Sequence, residues 1–197
     1  AGNDITNNRT LLSCERAARY FAARGDSRNA IAILEKAADR CRNNTNLTEE
    51  KKFCSIAAEL SDFPSAKYRS LVRLGDICSQ LGLFEDSISA YKKALKVLRK
   101  PDGISRKSMV HIRIMDVYYK QGRFRDSYCA IRKAKRCTGN IEDPAAKSLL
   151  NRGFGINFRA RKKYGIATKY FRKALTEARL SKDKEIHFRA FENLGIT

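Results

Sequence analysis

Tryptophan is absent from this chain of 197 residues, proline occurs three times and histidine twice. So little proline, with eleven glycines, excludes a low-complexity or disordered chain, which is enriched in both. His111 and His187 lie far apart, and the six cysteines include no C-x-x-C pair, so no metal-ligand spacing exists. No Gly-rich phosphate loop follows a strand, and no Ser/His/Asp grouping appears. The expectation is therefore a non-enzyme with no catalytic residue, no cofactor and no metal. No apolar run approaches the roughly 18 residues of a membrane-spanning helix. The opening AGNDITNNRT has neither the basic end nor the apolar middle of a signal peptide, and it lacks Met, which reads as a processed or excised N-terminus.

What is present is enough apolar residue, 43%, to build a core. Cys14, Cys41, Cys54, Cys78, Cys129 and Cys137 fall largely where a helix places core residues. They read as buried thiols rather than disulfides, which implies a reducing compartment, cytoplasmic with a nuclear alternative. The N-x-[ST] sequons at Asn8, Asn43 and Asn46 then read as accidental. Charge is the strongest compositional signal: 41 Lys+Arg against 21 Asp+Glu, a formal +20. It is uneven, at +1 over 1–50, +5 over 51–100, +6 over 101–150 and +8 over 151–197. A basic field that grows along the chain favours acidic partners or phosphate-bearing polymers over a merely solvated helical surface.

The stretch 70–98, SLVRLGDICSQLGLFEDSISAYKKALKVL, recurs at an interval of 40. Gly82 becomes Gly122, Phe84 becomes Phe124, Asp86-Ser87 becomes Asp126-Ser127, and Ala94 becomes Ala134 and then Ala174. Repeats of this length indicate stacked supersecondary units. A polar N-terminus, 1–9, is expected to be flexible. A first helical hairpin follows over 10–41, turning at Gly25 with Asp26 or Ser27 as cap. Residues 42–65 do not fit the interval and read as an insertion carrying an extra helix. Residues 66–197 hold three regular hairpins plus the first helix of another, a fragment of a longer array. Turns are expected at 101–103 and 138–140, and Asp143-Pro144 supplies a cap and an N1 proline. Lys162-Lys163 replaces glycine between the fourth pair of helices, which predicts an altered turn.

These residues resemble the tetratricopeptide pattern, W-x2-L-G-x2-Y, A-x3-F, P. Leu71-x2-Leu74-Gly75-x2-Cys78 is followed by Ser87-x3-Tyr91 and Ala94. Ile114, Tyr118, Ser127-x3-Ile131 and Ala134 come next, then Phe154-Gly155-x2-Phe158, Ala167-x3-Phe171 and Ala174. The resemblance implies an all-α fold, a right-handed α-solenoid of antiparallel helix hairpins. The 40-residue interval is similar to the long repeats of kinesin light chain and of Pins-type adaptors, although the Pins-type Asn after Leu-Gly is Asp76 or Ile156 here. Small residues (Gly75, Gly155, Ala94, Ala134, Ala174) are expected at the crossing within a hairpin. Leu74, Phe154, Tyr91 and Phe171 are expected between hairpins.

The resemblance further implies a scaffold or adaptor whose first helices line a concave groove for a peptide. By register the groove positions are Arg69, Val72, Asp76, Ile112, Asp116, Tyr119, Arg152, Ile156, Arg159 and Arg189, with Arg73 and Arg113 one step round the helix and contributing from the flank. Arginine forks suit carboxylate or phosphate, so the expected partner is an acidic or amphipathic segment of another protein. The family's carboxylate clamp for chaperone C-termini is not expected, because its positions hold Glu15, Arg19, Arg73, Met109 and Arg113 and no asparagine. The runs Tyr91-Lys92-Lys93, Arg132–Arg136 and Phe171-Arg172-Lys173 support a second reading: electrostatic binding to nucleic acid or another acidic polymer such as tubulin tails.

Overall fold

The computed structural model describes residues 2–98, 104–138, 143–181 and 183–195. The turn expected at 101–103 and the stop at 139–140 lie outside them. All regular structure among the described residues is helical: α1 (Gly2–Ala23), α2 (Ser27–Asn43), α3 (Leu47–Leu60), α4 (Pro64–Gln80), α5 (Phe84–Val97), α6 (Ile104–Lys120), α7 (Phe124–Thr138), α8 (Pro144–Ala160), α9 (Tyr164–Leu180) and α10 (Lys184–Gly195). From α4 onward the helices begin at 64, 84, 104, 124, 144, 164 and 184. The sequence interval of 40 is thus two helices of equal pitch. We call α4, α6, α8 and α10 the A helices, and α5, α7 and α9 the B helices. α1 starts at Gly2, well before the expected Thr10.

The chain divides into two compact units, Ala1–Leu98 and Arg99–Thr197. In unit 1, α2 packs against α1 and α3, α3 against α4, and α4 against α5. In unit 2, α6 pairs with α7 and α8 with α9, while α8 also lies beside α6 and α10. Local chemistry starts the helices. Asp26 accepts from Asn29 N at 3.1 Å, Asn46 from Glu49 N at 3.2 Å, and Asp143 from Ala145 N at 3.0 Å with Pro144 behind it. Each bond satisfies an amide that the helix itself leaves unpaired.

Five turns share one geometry. Asp26, Asn46, Leu83, Arg123 and Lys163 each donate N–H to the carbonyl five residues back, at 2.8–3.0 Å. The residue before each donor has a left-handed backbone: Gly25, Thr45, Gly82, Gly122 and Lys162. That is the helix-ending motif glycine favours. Lys162 adopts it at φ 59° without glycine, so the turn between α8 and α9 is the same turn and not an altered one. The segment 42–65 enters through this turn as well, and its helix α3 joins the packing of unit 1.

The crossings show why small residues recur. Gly75 lies under the Tyr91 ring and Gly155 under the Phe171 ring, and a Cβ on either would collide with it. Tyr91 and Phe171 therefore fill the crossing inside their own hairpins, rather than the gaps between hairpins expected from sequence. In the intervening hairpin the register places Met115 and Ile131 at these two sites, so a larger A residue meets a smaller B residue. Ser87 Oγ donates to Gly75 O at 2.7 Å, and Ser127 Oγ to Met115 O at 3.1 Å, which ties B to A in both. Tyr91, Ile131 and Phe171 are almost wholly buried, and each stabilises its hairpin by roughly 1.5–3 kcal/mol through apolar area removed from water.

Candidate functional site

The expected groove residues fall in two sets. Four lie on α4 in unit 1, and three of these are occupied within the protein. Arg69 Nη2 donates to Glu35 at 3.1 Å. Arg73 donates through Nε to Glu50 at 2.7 Å and through Nη1 to Asp39 at 2.6 Å. Asp76 accepts from the Tyr91 hydroxyl at 2.6 Å. Val72, the fourth, packs on Ala58, Leu71 and Ala94. The centre of this network is Glu50, 1% exposed, whose Oε1 also takes Arg42 at 2.8 Å. A buried carboxylate is tolerated only when ionic partners compensate it, and Arg42 and Arg73 do so. Next to it is a cavity of about 280 Å³ lined by Leu34, Phe53, Cys54 and Ala57 with Asp39, Arg69 and Arg73. Arg73 is thus a brace, which removes it from any clamp.

The second set lies on the A helices of unit 2. Ile112 and Ile156 are 4% exposed and belong to the core, so neither is an anchor for a partner. Their burial follows from packing, since Ile156 joins Ala167 and Phe171 between α8 and α9. Tyr119 is half-buried against the same cluster and touches Phe124 at 5.5 Å. The charged members gather round Asp116. Arg152 approaches it at 3.7 Å, and Arg113, Lys120 and Arg189 lie close enough to act on it electrostatically. Burial pushes the Asp116 carboxyl up from its ordinary range, against the pull of these four cations. Arg189 is also paired with Glu185. Two shielded donors, Arg152 Nε and Arg159 Nη1, have no hydrogen-bond acceptor among the described residues. Arg159 otherwise rests over the Phe171 ring at 5.6 Å.

Sequence reasoning missed Glu50 and Lys120. A signal for Glu50 existed: it precedes Phe53, Cys54 and Ala57 at helical spacing, so it shares their inward face. All six cysteines are free thiols, and burial pushes Cys54 up to about 12. Among the described residues no group of His, Cys, Asp or Glu is placed to hold a metal ion, and no helix is long and apolar enough to cross a membrane.

Comparison with known proteins agrees with this architecture. The tetratricopeptide repeat family pattern matches residues 68–97, which is α4 and α5 with their turn. Among curated proteins none matches in sequence. The fold is similar to BtubC (BKLC) from P. vanneervenii, with TM-score 0.72 and 13% identity over 96% of this chain and 82% of that one. It is also similar to a Podosopora anserina putative kinesin light chain with TPR-like repeats, TM-score 0.56 and 12% identity over 88% and 98%. A third is MamA from Desulfovibrio magneticus RS-1, TM-score 0.55 and 15% identity over 84% and 92%. Identities this low speak for the fold alone. Residues 68–97 thus match a tetratricopeptide repeat, and the chain folds as an all-α solenoid of antiparallel hairpins, set at the long interval of 40 residues.

Proposed function

We propose that this protein is a non-enzymatic scaffold whose unit 2 holds an acidic or amphipathic segment of another protein along α6, α8 and α10. Tetratricopeptide arrays generally serve as protein-interaction scaffolds, and the fold brings that expectation to this chain. The observation that carries the more specific reading is the cluster around Asp116. Asp116 stands within the positive field of Arg113, Lys120, Arg152 and Arg189, and the Arg152 Nε and Arg159 Nη1 donors have no acceptor among the described residues. Buried donors are normally satisfied, so a carboxylate or carbonyl that reached either of those two would complete its bonding. Tyr119, half-buried beside them, offers a partner its apolar contact. The groove positions on α4 do not share this role, because their charges are already neutralised.

The test is capture of partners on immobilised protein, with mass spectrometry, for the wild type and for Arg113→Glu plus Arg152→Glu. A parallel arm adds nuclease. Partners lost in the variant but kept through nuclease support the groove. An unchanged partner list, with the variant's helix content intact, removes it.

A further inference from the structure

The B helices of unit 2 carry a second surface that the groove does not use. All twelve Lys and Arg of α7, α9 and the turn at 161–163 are exposed, and none of them makes a salt bridge among the described residues. The two carboxylates on these elements do not offset them: Asp126 is held by Arg123 at 2.8 Å, and Glu177 is half-buried. The repeat places the cations in matching rows, with Arg132 and Lys133 on α7 at the register of Arg172 and Lys173 on α9.

An aromatic cluster holds these helices together. Tyr128 of α7 and Tyr170 of α9 both lie against Phe158 of α8, at 6.1 and 5.4 Å, so each B helix is fixed to the same ring of α8. Arg161 stacks on the Tyr128 ring at 4.0 Å, and Lys173 stands 5.9 Å from the Tyr170 ring. Ring stacking restrains the Arg161 fork, so less side-chain freedom is lost when it meets an anion. The ring faces are meanwhile taken up by one another and by Arg161, which leaves no open platform for a base.

We propose that this face binds the sugar–phosphate backbone of a nucleic acid without reading its bases. Charge complementarity selects the occupant. A protein partner needs an apolar or aromatic anchor at the centre of its interface, where charged residues are depleted. Here the exposed neighbours of the cation rows are Cys129 and Thr176. The exposed apolar side chains Phe124, Tyr164, Ile166 and Leu180 sit at the helix ends. A dense, uncompensated cation field without such an anchor suits a polyphosphate, where release of condensed counterions drives binding.

The experiment titrates fluorescein-labelled oligo-uridine and a mixed-sequence DNA duplex into the full chain and follows anisotropy across a salt series. Both should bind, with log Kd linear in log salt. Replacing Arg132, Lys133, Arg172 and Lys173 with Ala should weaken both at least about tenfold and reduce the salt slope by roughly one for each phosphate no longer neutralised. Removing four exposed lysines from unit 1 (Lys36, Lys92, Lys93, Lys96) should have a much smaller effect, as should Arg152→Gln, which keeps this test separate from the groove. Bound oligonucleotide should also shield Cys129, the exposed cysteine on α7, from a thiol reagent. The proposal is overturned if neither nucleic acid binds at low salt, or if the unit 1 variant loses as much affinity as the unit 2 variant. It is equally overturned if Cys129 reacts as fast with oligonucleotide bound, or if poly-glutamate or phosphatidylserine vesicles bind this face more tightly than the nucleic acids do.

Discussion

The two units share one helical plan and differ in how they treat charge. Unit 1 has 16 basic and 12 acidic residues, a net of +4, whereas unit 2 has 25 and 9, a net of +16. In unit 1 most ion pairs cross between helices, among them Lys52 with Glu15, Arg69 with Glu35, and Arg42 and Arg73 with Glu50, whereas Arg19 with Glu15 stays within α1. Arg73 locks onto two carboxylates, Glu50 and Asp39, whereas the twelve cations of α7, α9 and the turn at 161–163 make no salt bridge among the described residues. The lesson is that register assigns a side chain to a face, and the carboxylates across from it decide whether it is a brace or a contact. Unit 1 uses its arginines to hold helices together. Unit 2 leaves the twelve cations of α7, α9 and the turn at 161–163 exposed to solvent.

Breaking unit 1's network gives the most extensive expected effect. Glu50→Gln removes the anion shared by exposed Arg42 and largely buried Arg73, which keeps only Asp39, a loss of about 2 kcal/mol, below the full cost of an unpaired buried charge. Hydrogen exchange read by mass spectrometry should show protection falling across α2, α3 and α4 while α8 and α9 keep theirs. A uniform loss in both units would mean that they unfold together and that the contrast is only one of surface.

The crossings test what the units have in common. Gly75→Ala in unit 1 and Gly155→Ala in unit 2 press a methyl group into the Tyr91 and Phe171 rings, so each should cost about 1–3 kcal/mol in thermal or urea unfolding. Equal costs would confirm one packing rule across both units. A neutral Gly155→Ala would show that unit 2 is looser at its core as well as more highly charged.

The smallest effect is stabilising. Lys162 and Thr45 hold left-handed backbones that glycine adopts without steric conflict, so Lys162→Gly or Thr45→Gly should each gain about 1 kcal/mol by urea titration. Lys162→Gly also removes one cation from the basic face, which allows a small drop in nucleic-acid affinity beside the gain in stability.

The interval is readable because it rests on residues whose chemistry is local. Glycines at turns, Ser or Ala at the close approach, and Asp143-Pro144 at a helix start each announce themselves. Lys162 misleads because the turn is imposed by the pairing of α8 with α9, and the chain accepts a strained residue to keep it. Tyr91 and Phe171 are recognisable as packing residues, but whether they fill a hairpin or a gap depends on which helix lies over Gly75 and Gly155. The site is harder to read. Glu50 meets Arg73 across 23 positions of sequence, and no periodicity reveals such a partner. Ile112 and Ile156 share the A-helix face by register, yet they sit on its buried edge. The basic rows are visible as runs; their lack of opposing carboxylates requires the fold.

Seven helices beginning at intervals of twenty residues imply a chain whose length is quantised. Inserting a single residue within one of these helices would rotate everything after it by about 100°, turning buried rings outward and cations inward. Such an array can lengthen or shorten by whole helix pairs, which restore the phase, far more readily than by single residues. Its evolution and its engineering are therefore constrained to the same step size.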